Sequence, residues 1–190
     1  MKTVKYLTNQ EVKRLLNQVA GTFAKRDKAL ITLAINTGLR VAELTGLNVS
    51  DVLNGSIKRE LKVRKEIAKG KRERIIPLND RAREAVEDIL AFNKEKGYPV
   101  TPDSPLLQSR KHCRLTPGQV WRIVKGASVK AKLDISASPH TLRHSFATGV
   151  LKKTNNLRVV QTLLGHSNVS TTCIYTHPSR EELSSAVASL

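Results

Sequence analysis

Apolar residues in the first part of the chain recur every three or four positions. Val12, Leu15, Leu16 and Val19 follow this spacing, and Thr8 with Glu11 three residues on has the form of a capping box, so a helix is predicted over about Asn9 to Ala20. Gly21 and Thr22 interrupt it. Ala29, Leu30, Leu33 and Ala34 mark a second helix that Gly38 stops, and a short third helix starting near Arg40 carries Val41 and Leu44 inward. The pattern then changes. The stretch SIKRELKVRKEIAKGKRERIIPL mixes branched apolar residues with dense positive charge, which suits a small antiparallel sheet with an exposed Lys-Gly turn.

Helical periodicity returns after Asp80 through Ala85, Val86, Ile89 and Leu90 and ends around Gly97. The segment GYPVTPDSP reads as an internal loop, because helical patterns resume on both sides of it without a shift in composition. Further helices are expected at about Pro117 to Lys132, Pro139 to Lys152 and Asn156 to Leu164, then a short one bearing Tyr175, and finally Glu181 to Ser189. The expected fold class is mainly α with a small antiparallel β-sheet, an α+β arrangement in which residues 1–190 make one domain.

Composition narrows the partners. Thirty-three Lys and Arg against sixteen Asp and Glu give a formal charge of +17, which favours a polyanion. With 39% apolar and 26% charged residues in periodic patterns, the signature of disorder is missing. No apolar run approaches the ~20 residues that span a bilayer, and the N-terminus MKTVKYLTNQ lacks the apolar core of a signal peptide, so a cytoplasmic protein with no membrane partner is expected. Cys113 and Cys173 lack the spacing of a zinc site or redox pair and read as reduced thiols.

The stretch from Ser138 to His177 carries the chemistry. His140 and Arg143, three residues apart on a predicted helix, project toward a common point, while Leu142 and Phe146 hold a neighbouring stripe in the core. Leu157, Val160 and Leu164 form the buried side of the next helix, and Gly165 ends it so that His166 emerges from a tight turn. Tyr175 follows, on a segment closed by Pro178.

Arginines, histidines and a tyrosine in this pattern suit attack on a phosphodiester. Its pentavalent transition state gathers negative charge, which the planar fork of arginine neutralises at two oxygens. A phenol with an ordinary pKa of about 10 needs nearby positive charge or a base to become a nucleophile. Taken singly, each residue has a plainer reading: Arg40 as a solvated charge, Tyr175 as a packing residue. His140 and His144 have the spacing of a metal pair, but no third ligand of suitable spacing accompanies them. His112, Cys113, Trp121 and His177 form no constellation and read as structural.

HTLRHSFAT, LRVVQTLLGHS and STTCIYTH resemble the signature boxes of the phage integrase, or tyrosine recombinase, family, and within it the Xer-type bacterial recombinases. TGLRVAELTGL resembles the family's first box, with its catalytic arginine at Arg40. KGKRERIIPL resembles the sheet segment, whose catalytic lysine falls on Lys69; chemistry alone does not choose between it and Lys65, Lys71 and Arg72 on the same turn, and Lys71 is the runner-up. The boxes run in order from about Thr37 to His177.

The resemblance implies the tyrosine recombinase catalytic-domain fold and a definite chemistry. Arg40 and Arg143 would clamp the scissile phosphate while Tyr175 attacks it, leaving a 3′-phosphotyrosyl link and a free 5′-hydroxyl. Lys69 would protonate the leaving oxygen, His140 would assist proton transfer, His166 would hydrogen-bond a phosphoryl oxygen, and Glu43 would hold the Arg40 guanidinium. No metal, nucleotide or other cofactor is required. Double-stranded DNA is the implied partner, with protomers assembling on it as a homo-oligomer, commonly a tetramer, and no small-molecule substrate. Glu181 to Leu190 either docks on a neighbouring protomer or packs on its own domain.

The family's N-terminal DNA-clamping domain is expected to be absent, which fits either an excised fragment or a naturally short recombinase similar to the promoter-switching invertases. Two other function classes compete. A type IB topoisomerase uses the same residue types and would relax plasmid lacking any recombination site. A non-catalytic DNA-binding regulator would not need every catalytic position filled.

Overall fold

The computed structural model describes residues 5–165. Eight helices and four short strands occur among them. Helix α1 (Asn9–Asn17) starts as the capping box predicts: the Thr8 hydroxyl accepts from the Glu11 amide, and the Glu11 carboxylate accepts from the Thr8 amide at 2.8 Å. It ends earlier than Ala20 because Gln18 and Val19 donate to Leu15 and Leu16, three residues back, tightening the last turn.

Helix α2 (Ala24–Thr37) is the centre of the molecule. Leu30, Ile31 and Leu33 are fully buried, and the helix packs against α5 (Asp80–Glu95) on one side and α7 (Pro139–Thr154) on another. Gly38 caps α2 in the left-handed conformation, with φ of 63°, and turns the chain into α3 (Val41–Gly46). Arg40 is the N-cap of α3, one position ahead of the first helical turn. Three elements add to the expected order: α4 (Val49–Val52) and the paired strands β1 (Leu53–Asn54) and β2 (Ser56–Ile57). Segments of two to four residues carry no readable periodicity, so pattern could not show them.

The predicted antiparallel sheet is β3 (Glu60–Val63) with β4 (Arg74–Pro77), paired from Glu60 opposite Pro77 to Val63 opposite Arg74. Leu61, Val63 and Ile76 face the core. The loop 64–73 joins these strands and contains the Lys69–Gly70 turn, exposed as expected, with Gly70 at φ of 81°. The proline-containing loop 97–105 is stitched to the domain rather than separating two: Val49 donates to the Ser104 carbonyl and Ser50 to the Pro102 carbonyl, both at 2.9 Å. Helix α6 (Pro117–Lys130) then packs beside α1, α3 and α7. Helix α8 (Leu157–Leu164) lies on α7 over a small cluster of Ala147, Val160 and Leu164, with Phe146 packed against it. Leu142 is buried as predicted, whereas Phe146 and Leu157 are only half-buried. No helix among the described residues is long and apolar enough to cross a membrane.

Candidate active site

Three segments meet at one buried carboxylate. Glu43 sits in the first turn of α3 with its side chain only 1% exposed. It accepts from the Arg40 backbone amide at 2.8 Å and from Arg40 Nη1 at 3.0 Å. From β4, Arg74 reaches both carboxylate oxygens, Nη1 to Oε1 at 2.9 Å and Nη2 to Oε2 at 2.6 Å, a fork-to-fork pair. Arg143 of α7 lies beside them, its Nη1 4.0 Å from Glu43 Oε2.

The C-terminal end of α8 supplies the second set of acceptors. Arg74 Nε donates to the Leu163 carbonyl at 2.9 Å, Arg143 Nη2 to the Leu164 carbonyl at 2.8 Å, and Arg40 Nη1 approaches the same Leu164 oxygen at 3.5 Å. These carbonyls close no intrahelical bond and carry the negative end of the helix dipole, so they are natural seats for cations. Arg143 Nη1 also donates to the Gly38 carbonyl at 2.6 Å, which ties the end of α2 to α7. The arrangement explains Gly165. A Cβ there would stand 2.9 Å from Arg74 Cδ, and the residue adopts φ of 63° to close α8.

Arg40 and Arg143, 103 positions apart in sequence, thus share both a carboxylate neighbour and a carbonyl acceptor. The side chain of Arg40 is 24% exposed and that of Arg143 is 4% exposed, and the Arg143 guanidinium is held by its bonds to the Gly38 and Leu164 carbonyls. Three guanidinium groups against one carboxylate leave the site positively charged. Burial raises the pKa of Glu43, but the hydrogen bonds and charge of Arg74 and Arg40 outweigh it and hold the carboxyl below its ordinary value.

His140 stands one turn before Arg143 near the start of α7, and its ring meets that of His144 edge-on at 4.1 Å between centroids. Desolvation against these neighbours, together with the charges of Arg143 and Arg40, lowers the His140 pKa. Burial, then His140 and Arg143, brings His144 down to about 4. Both rings are therefore neutral at neutral pH. Among the described residues, no three His, Cys, Asp or Glu side chains gather as metal ligands.

Lys69 and Lys71 are both exposed on loop 64–73, and neither is joined to the arginine cluster by a hydrogen bond or ion pair among the described residues. His166, Tyr175 and the segment 181–190 lie outside the described residues. Arg74 is the participant that sequence reasoning missed. The signal was its place two residues before the buried Ile76, which puts it on the inward face of β4. Glu43 holds more than the expected Arg40: it is the common partner of all three arginines.

The phage integrase family matches this chain over residues 5–182. A tyrosine recombinase XerD of Halalkalibacterium halodurans is 39% identical over 182 residues, covering 94% of this chain and 59% of the relative. The crystal structure of XerA recombinase superposes with a TM-score of 0.77 at 27% identity, covering 99% of this chain and 66% of that one. The XerH site-specific recombinase bound to its difH substrate, a pre-cleavage complex, gives the same TM-score and identity over 99% of this chain and 55% of that one. The chain spans about half to three fifths of the length of the curated relatives it matches.

Proposed function

From a chain that belongs to the phage integrase family, we infer the catalytic part of a site-specific recombinase that cuts and rejoins DNA through a covalent bond to Tyr175. The observation that carries this reading is the convergence of Arg40 and Arg143 on one carboxylate and one carbonyl. Two forked cations so placed can grip the non-bridging oxygens of a single phosphate.

In the proposed reaction the Tyr175 phenol oxygen bonds to phosphorus as the bond to the 5′ oxygen breaks. His140, neutral because of its lowered pKa, takes the phenol proton, and Lys69 gives a proton to the departing 5′ oxygen. His166 donates a hydrogen bond to a phosphoryl oxygen. A 5′-hydroxyl from another strand reverses these steps, and the ester conserves the energy of the broken bond, so neither metal nor nucleotide enters. Double-stranded DNA is held through its phosphates, and protomers assemble on it as a tetramer. Binding is expected to weaken by about 10³-fold or more between 50 and 200 mM salt if six or more phosphates are contacted; an affinity indifferent to salt would contradict the phosphate contacts.

The test is incubation with a nicked suicide DNA substrate followed by a denaturing gel. A covalent adduct that disappears in Tyr175→Phe supports the reading. No adduct, or one that persists in Tyr175→Phe, rules out this nucleophile.

A further inference from the structure

Loop 64–73 begins on Arg64 and runs into Arg74, the first residue of β4, and both arginines grip a buried carboxylate. At the first stem, Arg64 Nε donates to Asp51 Oδ1 at 2.7 Å and Nη2 to Oδ2 at 2.9 Å, and Nη2 also reaches the Gly46 carbonyl at 3.2 Å. At the second stem, Arg74 makes its pair with Glu43. The two carboxylates occupy equivalent places, each in the first turn of its helix and each accepting the backbone amide of its N-cap residue, Glu43 from Arg40 and Asp51 from Asn48. Between the stems the loop packs on the same surface. Ala68 is buried, and Ile67 lies so close to Gly46 that a Cβ on the glycine would stand 2.6 Å from Ile67 Cγ2.

Lys69 lies midway, five residues from each stem arginine and next to buried Ala68. We propose that Arg64 and Arg74 are positioning residues: their forked contacts to Asp51 and Glu43 mount the loop on α3 and α4 and so set where the Lys69 ammonium stands relative to the paired arginines. This rests on the proposed reaction, in which Lys69 protonates the leaving oxygen. The physical need is plain. A two-stranded hairpin is marginal by itself, and lysine is a point charge on a flexible stem, so the backbone beneath it must be fixed from outside. Arg64 carries the inference most cleanly, since it bonds to Asp51 and to the Gly46 carbonyl rather than to Arg40 or Arg143.

The experiment compares two leaving groups in the 190-residue chain. Adduct formation is timed on a suicide substrate with an ordinary phosphodiester and on the same DNA with a 5′-bridging phosphorothiolate. Thiols are far more acidic than alcohols, with a reference pKa of about 8.5 for cysteine, so the sulfur leaves without a proton donor. Arg64→Lys and Arg74→Lys, which keep the charge and lose the fork, are expected to slow the phosphodiester by about 10- to 100-fold. On the phosphorothiolate Arg64→Lys should stay within about threefold of the parent, whereas Arg40→Ala should fail on both.

Equal loss on both substrates by a folded Arg64→Lys, or no loss on either, overturns the inference. A second measurement covers a variant that folds poorly: in a Lys69→Ala background, Arg64→Lys should slow the phosphodiester no further, whereas a general structural role adds its own loss. If the parent chain forms no adduct on either DNA, the proposed function itself fails, which is a different result from a parent that reacts and an Arg64 variant that the phosphorothiolate does not rescue.

Discussion

Gly38 and Phe146 meet where α2 ends against α7: a side chain on Gly38 would overlap the Phe146 ring and come within 3.0 Å of Leu164 Cδ2. The same glycine holds φ of 63° and offers its carbonyl to Arg143. Gly38→Ala therefore meets both a left-handed backbone and an occupied space, and should cost about 2–5 kcal/mol. Its urea midpoint should fall accordingly, and adduct formation should fall with it because Arg143 is displaced. An unchanged midpoint would mean that α7 yields without cost and that the contact does not anchor the arginine.

Glu43 ties acid stability to the site. Its carboxyl titrates below its unfolded value, so its contribution is fully present above the ordinary carboxylate pKa of about 4.3 and is lost as pH falls through the lower folded value. Glu43→Gln removes that dependence and leaves the guanidinium groups unneutralised, at a cost of about 3–5 kcal/mol at neutral pH. Equilibrium unfolding followed from pH 7 to 3 should show a shallower loss in the variant than in the parent. Parallel curves would show that Glu43 is not the coupled group.

The edge-on histidines make a prediction of the opposite chemical type. His144 titrates near 4 in the folded chain, well below the ordinary 6.5. The unfolded state takes up its proton first, so stability falls as pH drops from about 6.5 toward 4 and levels off below. Imidazole proton resonances followed by NMR should show His144 unprotonated at pH 5.5, with His140 shifted down less. A His144 midpoint above 6 would show that burial beside His140 and Arg143 does not hold its ring neutral.

Lys69 and Lys71 can be separated by substitution. Lys69→Ala should slow cleavage of an ordinary phosphodiester by about 10²-fold or more, and Lys71→Ala by no more than about threefold. The reverse ranking, read from single-turnover adduct formation, would move the acid role to Lys71, whose backbone occupies the left-handed region at φ of 53°.

The longer helices were legible because apolar residues recur along them at helical spacing and some carry local start or stop signals, as in Thr8 with Glu11 or Gly38 at the end of α2. Arg40 and Arg143 were legible from the chemistry of phosphate and the resemblance of their boxes. Arg74 was not, because its partner Glu43 is 31 residues away and only the folded chain brings the two together. Net charge was legible only as a total. Arg26 is 5% exposed and pairs with Asp27, and Arg114 spends its donors on the Thr45 and Leu47 carbonyls and Asn48. Some of the positive charge that composition suggested for a DNA-facing surface thus serves internal backbone, and a count of cations cannot tell the two uses apart.

In the proposed reaction, the seating of three arginines against the last carbonyls of α8 places the cost of catalysis at folding rather than at reaction. Water must reorient around an arriving phosphate, whereas these guanidinium groups are already held in place when the chain has folded, so in the proposed reaction little rearrangement is left for the transition state to demand. The like charges held together there are a standing load on the native state. Substitutions that relieve this crowding would make the protein hardier and the proposed reaction slower, which sets a limit on how far its thermal tolerance can be raised from within the site.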